Sequence, residues 1–449
     1  MKIFTLCLAL GISFGAVSQT VSYDDVAVIV NDNSQTSIDI GNYFQSARNI
    51  PNQNIIHING STSEEIDTTE FASIRVQIEN YLVTTGLEDS INYLVTTKGV
   101  PLKVTGNCFD TIGGGIYCAS FDSELALILG QYASSIGQNG SVVNPIFNST
   151  QHFSRETSDV YLVTRLTGYK KQDVYDLIDR SGFETEVNQV SAQFTLDING
   201  AVGGDSAYFH DQHITPTNDY LVANSWNSQV DAAFGPLLNQ INSLGYVYFG
   251  YAANTNVLLN YSWVEGSFAA METTGTASTF DANQNTSGEL LLGDVLAEGC
   301  TGGHGYVNSN FFSLLFRSDI LMDRYLNVTE DYNFAESFYM AEQRFSWQAV
   351  VVGDPKASVW IDNSAGIDDP EVIELRLHPN PTSGIVHLES NESISSITIH
   401  GVNGGLVRTM DNINDNQVDI DLSEYNNGVY FVHVLSDGRM KVERIVVSK

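Results

Sequence analysis

Five apolar residues in a row, Val26-Ala27-Val28-Ile29-Val30, fit a strand buried on both faces. A helical period follows them, then a second apolar run, Ile55 to Ile58, a second helical period, and Tyr93-Leu94-Val95. Within the second helical period Phe71, Ile74, Ile78, Tyr81 and Leu82 form one apolar stripe that can cover a sheet face. Strand, crossover helix and strand repeated in this way predict an α/β fold: a mostly parallel sheet with helices on both faces. The alternation continues through Val160 to Val163, a helix near Gln172 to Asp179, Tyr246 to Phe249, and helices at Leu290 to Glu298 and Phe334 to Phe345. It closes at Val350 to Pro355, where three valines run into Gly353-Asp354-Pro355.

On either side the composition changes. Lys2, the apolar run Ile3 to Phe14 and the small residues Ala16, Val17 and Ser18 make residues 1–18 a signal peptide, cleaved before Gln19. The α/β unit is therefore expected over 19–360, followed by an acidic linker at 361–374, rich in Asp, Ser, Gly and Pro. From 375 to 449, short alternating segments between Gly and Asn turns predict a small all-β sandwich. No later apolar run approaches the ~20 residues a membrane span needs, so no transmembrane segment is expected.

The 449 residues carry 20 Lys and Arg against 53 Asp and Glu, a net charge of -33. Such a surface repels nucleic-acid phosphates and anionic lipid, which argues against both as partners. With 43% hydrophobic and 16% charged residues, the chain has the apolar content of a packed globule. Cys7 leaves with the signal peptide. Cys108 and Cys118, flanking Gly113 to Gly115, could pair in an oxidising compartment, leaving Cys300 as a lone thiol.

Near the carboxyl end His378, Pro379, Asn380, Pro381, Thr382, Ser383 and Gly384 are followed by Gly404-Gly405, by Asp421-Leu422-Ser423, and by Asn427, Gly428, Val429 and Tyr430. This order resembles the type IX secretion sorting domain of Bacteroidota. The resemblance implies recognition by the outer-membrane translocon and export through the periplasm. The cargo is then released or attached to surface lipopolysaccharide.

The α/β region carries its own marks. They are Ala47 to Pro51 (A-R-N-I-P), Lys98 to Leu102 (K-G-V-P-L), Asp122 to Ala126 (D-S-E-L-A), Thr164 to Gly168 (T-R-L-T-G), and Trp347-Gln348 through Gly353-Asp354-Pro355. Together they resemble a sporadically distributed, uncharacterised family of exported bacterial proteins, which implies no activity. The layout also resembles the gingipain-like cysteine peptidases, whose caspase-like domains often end near a G-D-P turn. That resemblance implies a His-Gly at the end of one apolar strand and a Cys at the end of the next. Here Tyr246 to Phe249 runs into Gly250-Tyr251-Ala252 without histidine, and Ser267 to Ser278 holds Met271, Glu272 and Thr273 without cysteine.

Cys300 and His304 are the remaining nucleophile and base candidates, inside the glycine-rich run Gly299 to Gly305. On an extended strand they would lie about 13 Å apart, so small residues letting a helix pack near a buried strand is the structural alternative. Asp122 and Glu124, two apart, could bind a cation or do acid/base work, or Asp122 or Ser123 could simply cap a helix. Lys98 and Arg165 follow strands, at the carboxyl edge where open α/β sheets bind ligands. His210 and His213 with Asp205 and Asp211 lack the spacing of a zinc site, so no metal is assigned. Asp411, Asn414, Asp415 and Asp419 offer oxygen ligands for Ca2+ without the EF-hand glycine. Two functions follow: a non-catalytic exported module lacking the dyad, or a hydrolase using His304 with Cys300, Asp122 or Asp354.

Overall fold

The computed structural model describes residues 21–105, 119–138, 142–198, 213–233, 235–249, 258–273, 275–285, 288–308, 316–362, 375–401, 406–436 and 439–449. The signal peptide, Cys108, Cys118, Asp205, His210, Asp211 and linker residues 363–374 lie outside them. The chain divides into two compact units, Met1–Ser364 and Ala365–Lys449.

The main sheet of the first unit has ten strands among the described residues: β1 (Val26–Asn31), β2 (Ile55–Ile58), β3 (Tyr93–Thr97), β4 (Leu162–Leu166), β5 (Gln193–Asp197), β6 (Asn227–Asp231), β7 (Ser243–Tyr248), β8 (Trp263–Met271), β9 (Gly302–Tyr306) and β10 (Ala349–Val352). Among its helices are α1 (Gln35–Arg48), α2 (Thr68–Thr85), α3 (Phe121–Leu125), α4 (Lys171–Arg180), α5 (Leu292–Ala297), α6 (Ser318–Tyr325) and α7 (Phe334–Ala341). The strand order is β6-β5-β7-β8-β9-β10-β4-β3-β1-β2. β1 to β4 are mutually parallel, as are β5 to β9. The antiparallel step is β9 to β10, where His304 pairs with Val351.

Every residue of β1, β3 and β4 is buried, as parallel strands covered on both faces require. The register sets Val28, Val95 and Thr164 on one face and Ile29, Thr96 and Arg165 on the other. α1 packs on the first face, its Gly41 against Val28 and Val30. α4 joins it there through stacked Tyr43 and Tyr175. On the opposite face α3 reaches Thr96 and Arg165, and Phe121 meets Phe71 of α2 edge to face. α2 buries Phe71, Ile74, Ile78 and Leu82 of the stripe read from the sequence, and its fifth member, Tyr81, is half-buried. The helix starts on an Asp67 cap and stops at Gly86 in the left-handed region.

The second unit comprises β11 (Leu375–His378), β12 (Ile385–Gly401), β13 (Leu406–Asp421), β14 (Gly428–Ser436) and β15 (Arg439–Val447), all paired antiparallel. Hydrogen bonding joins these strands into one antiparallel sheet. The first half of β12 pairs with β11 and the second half with β14, across a register shift between Glu389 and Ile394. Val386, Leu388, Ile394, Ile397, Ile420, Val432 and Ile445 share its single core.

Candidate functional site

The carboxyl ends of β1, β2, β3 and β4 open onto a cavity of about 350 Å³. Ser34 and Thr36 come from the start of α1, Thr62 to Glu64 follow β2, Lys98 to Val100 follow β3, and Thr167 and Tyr169 follow β4. Phe280, Asp281 and Gln284 close the far side. This is where ligands of open α/β sheets sit, because loops diverge there and leave space between them.

A buried ion pair forms the floor. Arg165 is 2% exposed and Asp122 fully buried. Nε and Nη2 of Arg165 donate to Asp122 Oδ2 at 2.8 Å and Oδ1 at 2.6 Å. Nη1 donates to Val100 O at 3.0 Å, and Nη2 also to Pro101 O at 2.7 Å. Thr96 Oγ1 donates to Asp122 at 3.0 Å. Burial pushes the Asp122 pKa up, while the Arg165 charge pulls the other way.

Lys98 stands above this pair. Its Nζ donates to Phe280 O at 2.8 Å, and it makes no ion pair among the described residues. Burial lowers its pKa, partly offset by Glu64 and Asp281. Gly99 next to it has φ of +106°, and a Cβ there would lie 2.3 Å from Ser34 Oγ, so only glycine lets the β3 turn close on α1. Asn31 Nδ2 donates to Gly99 O at 2.9 Å and secures it. The residues of K-G-V-P divide the work here. Lys98 lines the cavity, Gly99 allows the approach, and Val100 and Pro101 present carbonyls to Arg165. Glu64 accepts from Thr279 Oγ1 at 2.6 Å and Phe280 N at 2.7 Å, pinning the segment that closes the cavity.

Asp122 and Glu124 do not act together. Glu124 is buried elsewhere, accepting from Ser346 Oγ at 2.7 Å and Gly137 N at 3.0 Å, and burial pushes its pKa to about 7. Neither Asp122 nor Ser123 caps α3. Ser120 does, accepting from Ser123 N at 3.0 Å, because the helix already begins at Phe121 and both Asp122 and Ser123 lie inside it.

Cys300 and His304 have different partners. The Cys300 thiol is fully buried and donates to Gly302 O at 3.2 Å, and burial pushes its pKa up to about 12. His304, also fully buried, has Nε2 3.1 Å from Glu342 Oε2 and stacks on Phe316 at 4.2 Å. Around them the glycines serve packing: a Cβ on Gly303 would lie 2.9 Å from Leu292 of α5 and 2.4 Å from Ala269 O.

Two groupings are not foreseen from the sequence. Arg48 Nε donates to Asp354 Oδ2 at 2.6 Å, Tyr23 OH donates to Asp354 at 2.9 Å, and Arg48 also reaches Ile178 O and Ser181 O. The signal was present, since Arg48 and Asp354 belong to two of the marks; their 306-residue separation hid the contact. At the end of β8, Glu272 is buried 4.0 Å from His213 Nδ1, and burial raises its pKa to about 8. In the second unit Asp419 is engaged by His387 at 2.5 Å. No group of three acidic, His or Cys side chains able to hold a metal comes together among the described residues.

The opening of the second unit is tied to its end. Asn380 Nδ2 donates to Arg444 O at 2.6 Å and Asn380 Oδ1 accepts from Val446 N at 2.9 Å, between Pro379 and Pro381. Thr382 Oγ1 accepts from Gly384 N at 3.0 Å, and Gly384 packs against Ser423. Gly428 opens β14, and Tyr430 OH donates to Asn426 O at 3.0 Å.

Residues 376–448 match the secretion system C-terminal sorting domain. The second unit is that domain, a type IX sorting tail. Among solved structures the chain is similar to a complex of Porphyromonas gingivalis RgpB pro- and mature domains. There the identity is 11% and the TM-score 0.41, over 94% of this chain and 100% of that one. It is also similar to the Arg-specific cysteine proteinase gingipain R, at 10% identity and TM-score 0.40, over 95% and 98%. No curated protein matches the sequence. Among the described residues no helix is long and apolar enough to cross a membrane.

Proposed function

We propose that the protein is a type IX cargo delivered through the periplasm to the cell surface or the medium, and that its α/β unit is a binding module without peptidase activity. The observation carrying this reading is Cys300, a buried thiol whose pKa of about 12 keeps it protonated. A peptidase needs the thiolate, held beside an imidazole and open to substrate. His304 is itself fully buried, with Nε2 on Glu342 and Nδ1 without a partner among the described residues, and it makes no hydrogen bond with the Cys300 thiol. Phe249 and Glu272 stand where β7 and β8 end, and neither supplies the dyad.

The mature protein, incubated with a thiol-directed peptidase probe and a panel of fluorogenic peptides, is expected to show neither labelling at Cys300 nor turnover. Turnover abolished by Cys300→Ala would refute the reading. Deleting 375–449 should trap the protein in the periplasm; the truncated chain arriving outside the cell would overturn the assignment of its route. Attachment to surface lipopolysaccharide predicts a ladder of higher-mass species in the outer-membrane fraction, and release predicts one sharp band in the medium.

A further inference from the structure

We infer that the cavity at the carboxyl ends of β1 to β4 is a binding site for a small organic monocarboxylate, with Lys98 as the group that receives the carboxylate. This deepens the binding-module reading and rests on it.

Positive charge is scarce in this protein. Only 20 basic residues face 53 acidic ones, and some exposed ones, such as Lys170 and Arg376, make no ion pair among the described residues; what costs free energy is a cation left unpaired while withdrawn from water. Lys98 is such a cation among the described residues, and it lies half-buried in a concave wall. An ammonium removed from water without a counter-charge is costly. One backbone carbonyl satisfies one of its three N–H bonds and leaves two. Arg165 beneath it is neutralised by Asp122 and has spent four of its five N–H bonds, leaving one on Nη1.

Charge and lining select the ligand. Glu64 and Asp281 border the cavity, but each is turned to other donors: Glu64 to Thr279 and Phe280, Asp281 to Asn283. A phosphate dianion on Lys98 would leave one negative charge uncompensated beside those two carboxylates. A single carboxylate is matched by the ammonium. Val100, Leu102 and Phe280 make part of the wall apolar, which suits a carbon skeleton, while Thr36 and Thr62 add hydroxyls. The cavity's volume, about 350 Å³, lies at the small end of ligand pockets.

The test titrates the mature full-length protein, by calorimetry at pH 7, with benzoate, hexanoate, inorganic phosphate and glucose. Benzoate or hexanoate should bind. Lys98→Gln should weaken that binding about tenfold or more, the loss of one charge-assisted hydrogen bond. The inference is overturned if neither acid binds, if phosphate or glucose binds more tightly, or if a folded Lys98→Gln protein keeps its affinity within about twofold. Should Lys98→Gln fail to fold, Thr36→Met decides, since it narrows the cavity from a partly exposed helix start without touching charge. Unchanged affinity there also refutes the site. Peptide turnover without acid binding would sink both readings, whereas acid binding with Cys300-dependent turnover would leave the site standing and remove the non-catalytic one.

Discussion

Asp122→Ala strands the Arg165 guanidinium. That group is 2% exposed, and the substitution removes its counter-charge and two of its four hydrogen bonds, leaving the carbonyls of Val100 and Pro101. An uncompensated buried charge of this kind costs about 3–5 kcal/mol, a large share of the ~5–15 kcal/mol that holds a domain folded. Arg165→Met should cost less at low pH than at neutral pH, because Asp122, its pKa already raised by burial, can take a proton once the arginine is gone. The double variant should be more stable than Asp122→Ala alone, since no buried charge remains. Urea unfolding followed by tryptophan fluorescence reads this unit selectively, because Trp226, Trp263, Trp347 and Trp360 all lie in it. A cost for Asp122→Ala below ~1 kcal/mol, the range of exposed pairs, or a double variant whose loss equals the sum of the singles, would refute the picture of a dry, coupled pair.

Three further outcomes can be checked with the same protein. Glu124 titrates at about 7 in the fold against an ordinary 4.5, so the native state keeps a proton that the unfolded chain has released. Its contribution therefore favours the fold below pH 4.5 and is lost as pH rises to about 7, on the order of 3 kcal/mol in all. Glu124→Gln should flatten stability across that window, and an unchanged pH profile would contradict the assignment. Gly99→Ala, forced into a left-handed φ against Ser34, should destabilise the unit by about 1–3 kcal/mol in urea, and a neutral result would show that the turn is not packed as described. Cys300 should be alkylated, by peptide mapping, only at urea concentrations that unfold the unit; labelling in native buffer would place the thiol at the surface.

The order of elements was legible because its cause is local. A five-residue apolar run such as Val26 to Val30 fits a strand covered on both faces, and the stripe from Phe71 to Leu82 can bury itself only as a helix. Lys98 lies just past β3 as expected, whereas Arg165, expected to follow a strand, lies inside β4, because the buried run extends past Val163 to Leu166. What each does there was not legible. Arg165 spends itself on Asp122, 43 residues away, and Phe280 meets Lys98 from 182 residues away. No spacing rule encodes such contacts, which exist only once the sheet order brings the segments together. The antiparallel step from β9 to β10 was hidden too, since a buried run of valines looks the same in either direction.

The marks of the first unit resolve into two networks when placed in the fold. A-R-N-I-P meets G-D-P through Arg48 and Asp354, joining the end of α1 to the turn after β10. K-G-V-P-L, D-S-E-L-A and T-R-L-T-G meet through Arg165, and Trp347 N donates to Ser123 Oγ at 3.0 Å, drawing the last mark in as well. In both networks the charges are matched within the protein, arginine to aspartate, and the residues hold segments in place. Lys98 differs. Its neighbours in the mark are consumed by packing and by Arg165, yet its own charge meets no ion-pair partner among the described residues, in a protein that has 33 more negative charges than positive ones. A chain this acidic could have neutralised Lys98 with any nearby carboxylate; Glu64 is close enough to influence it but is turned to the backbone of Phe280 and the hydroxyl of Thr279. Among the described residues no carboxylate completes the pair, which is the place the inferred ligand would fill.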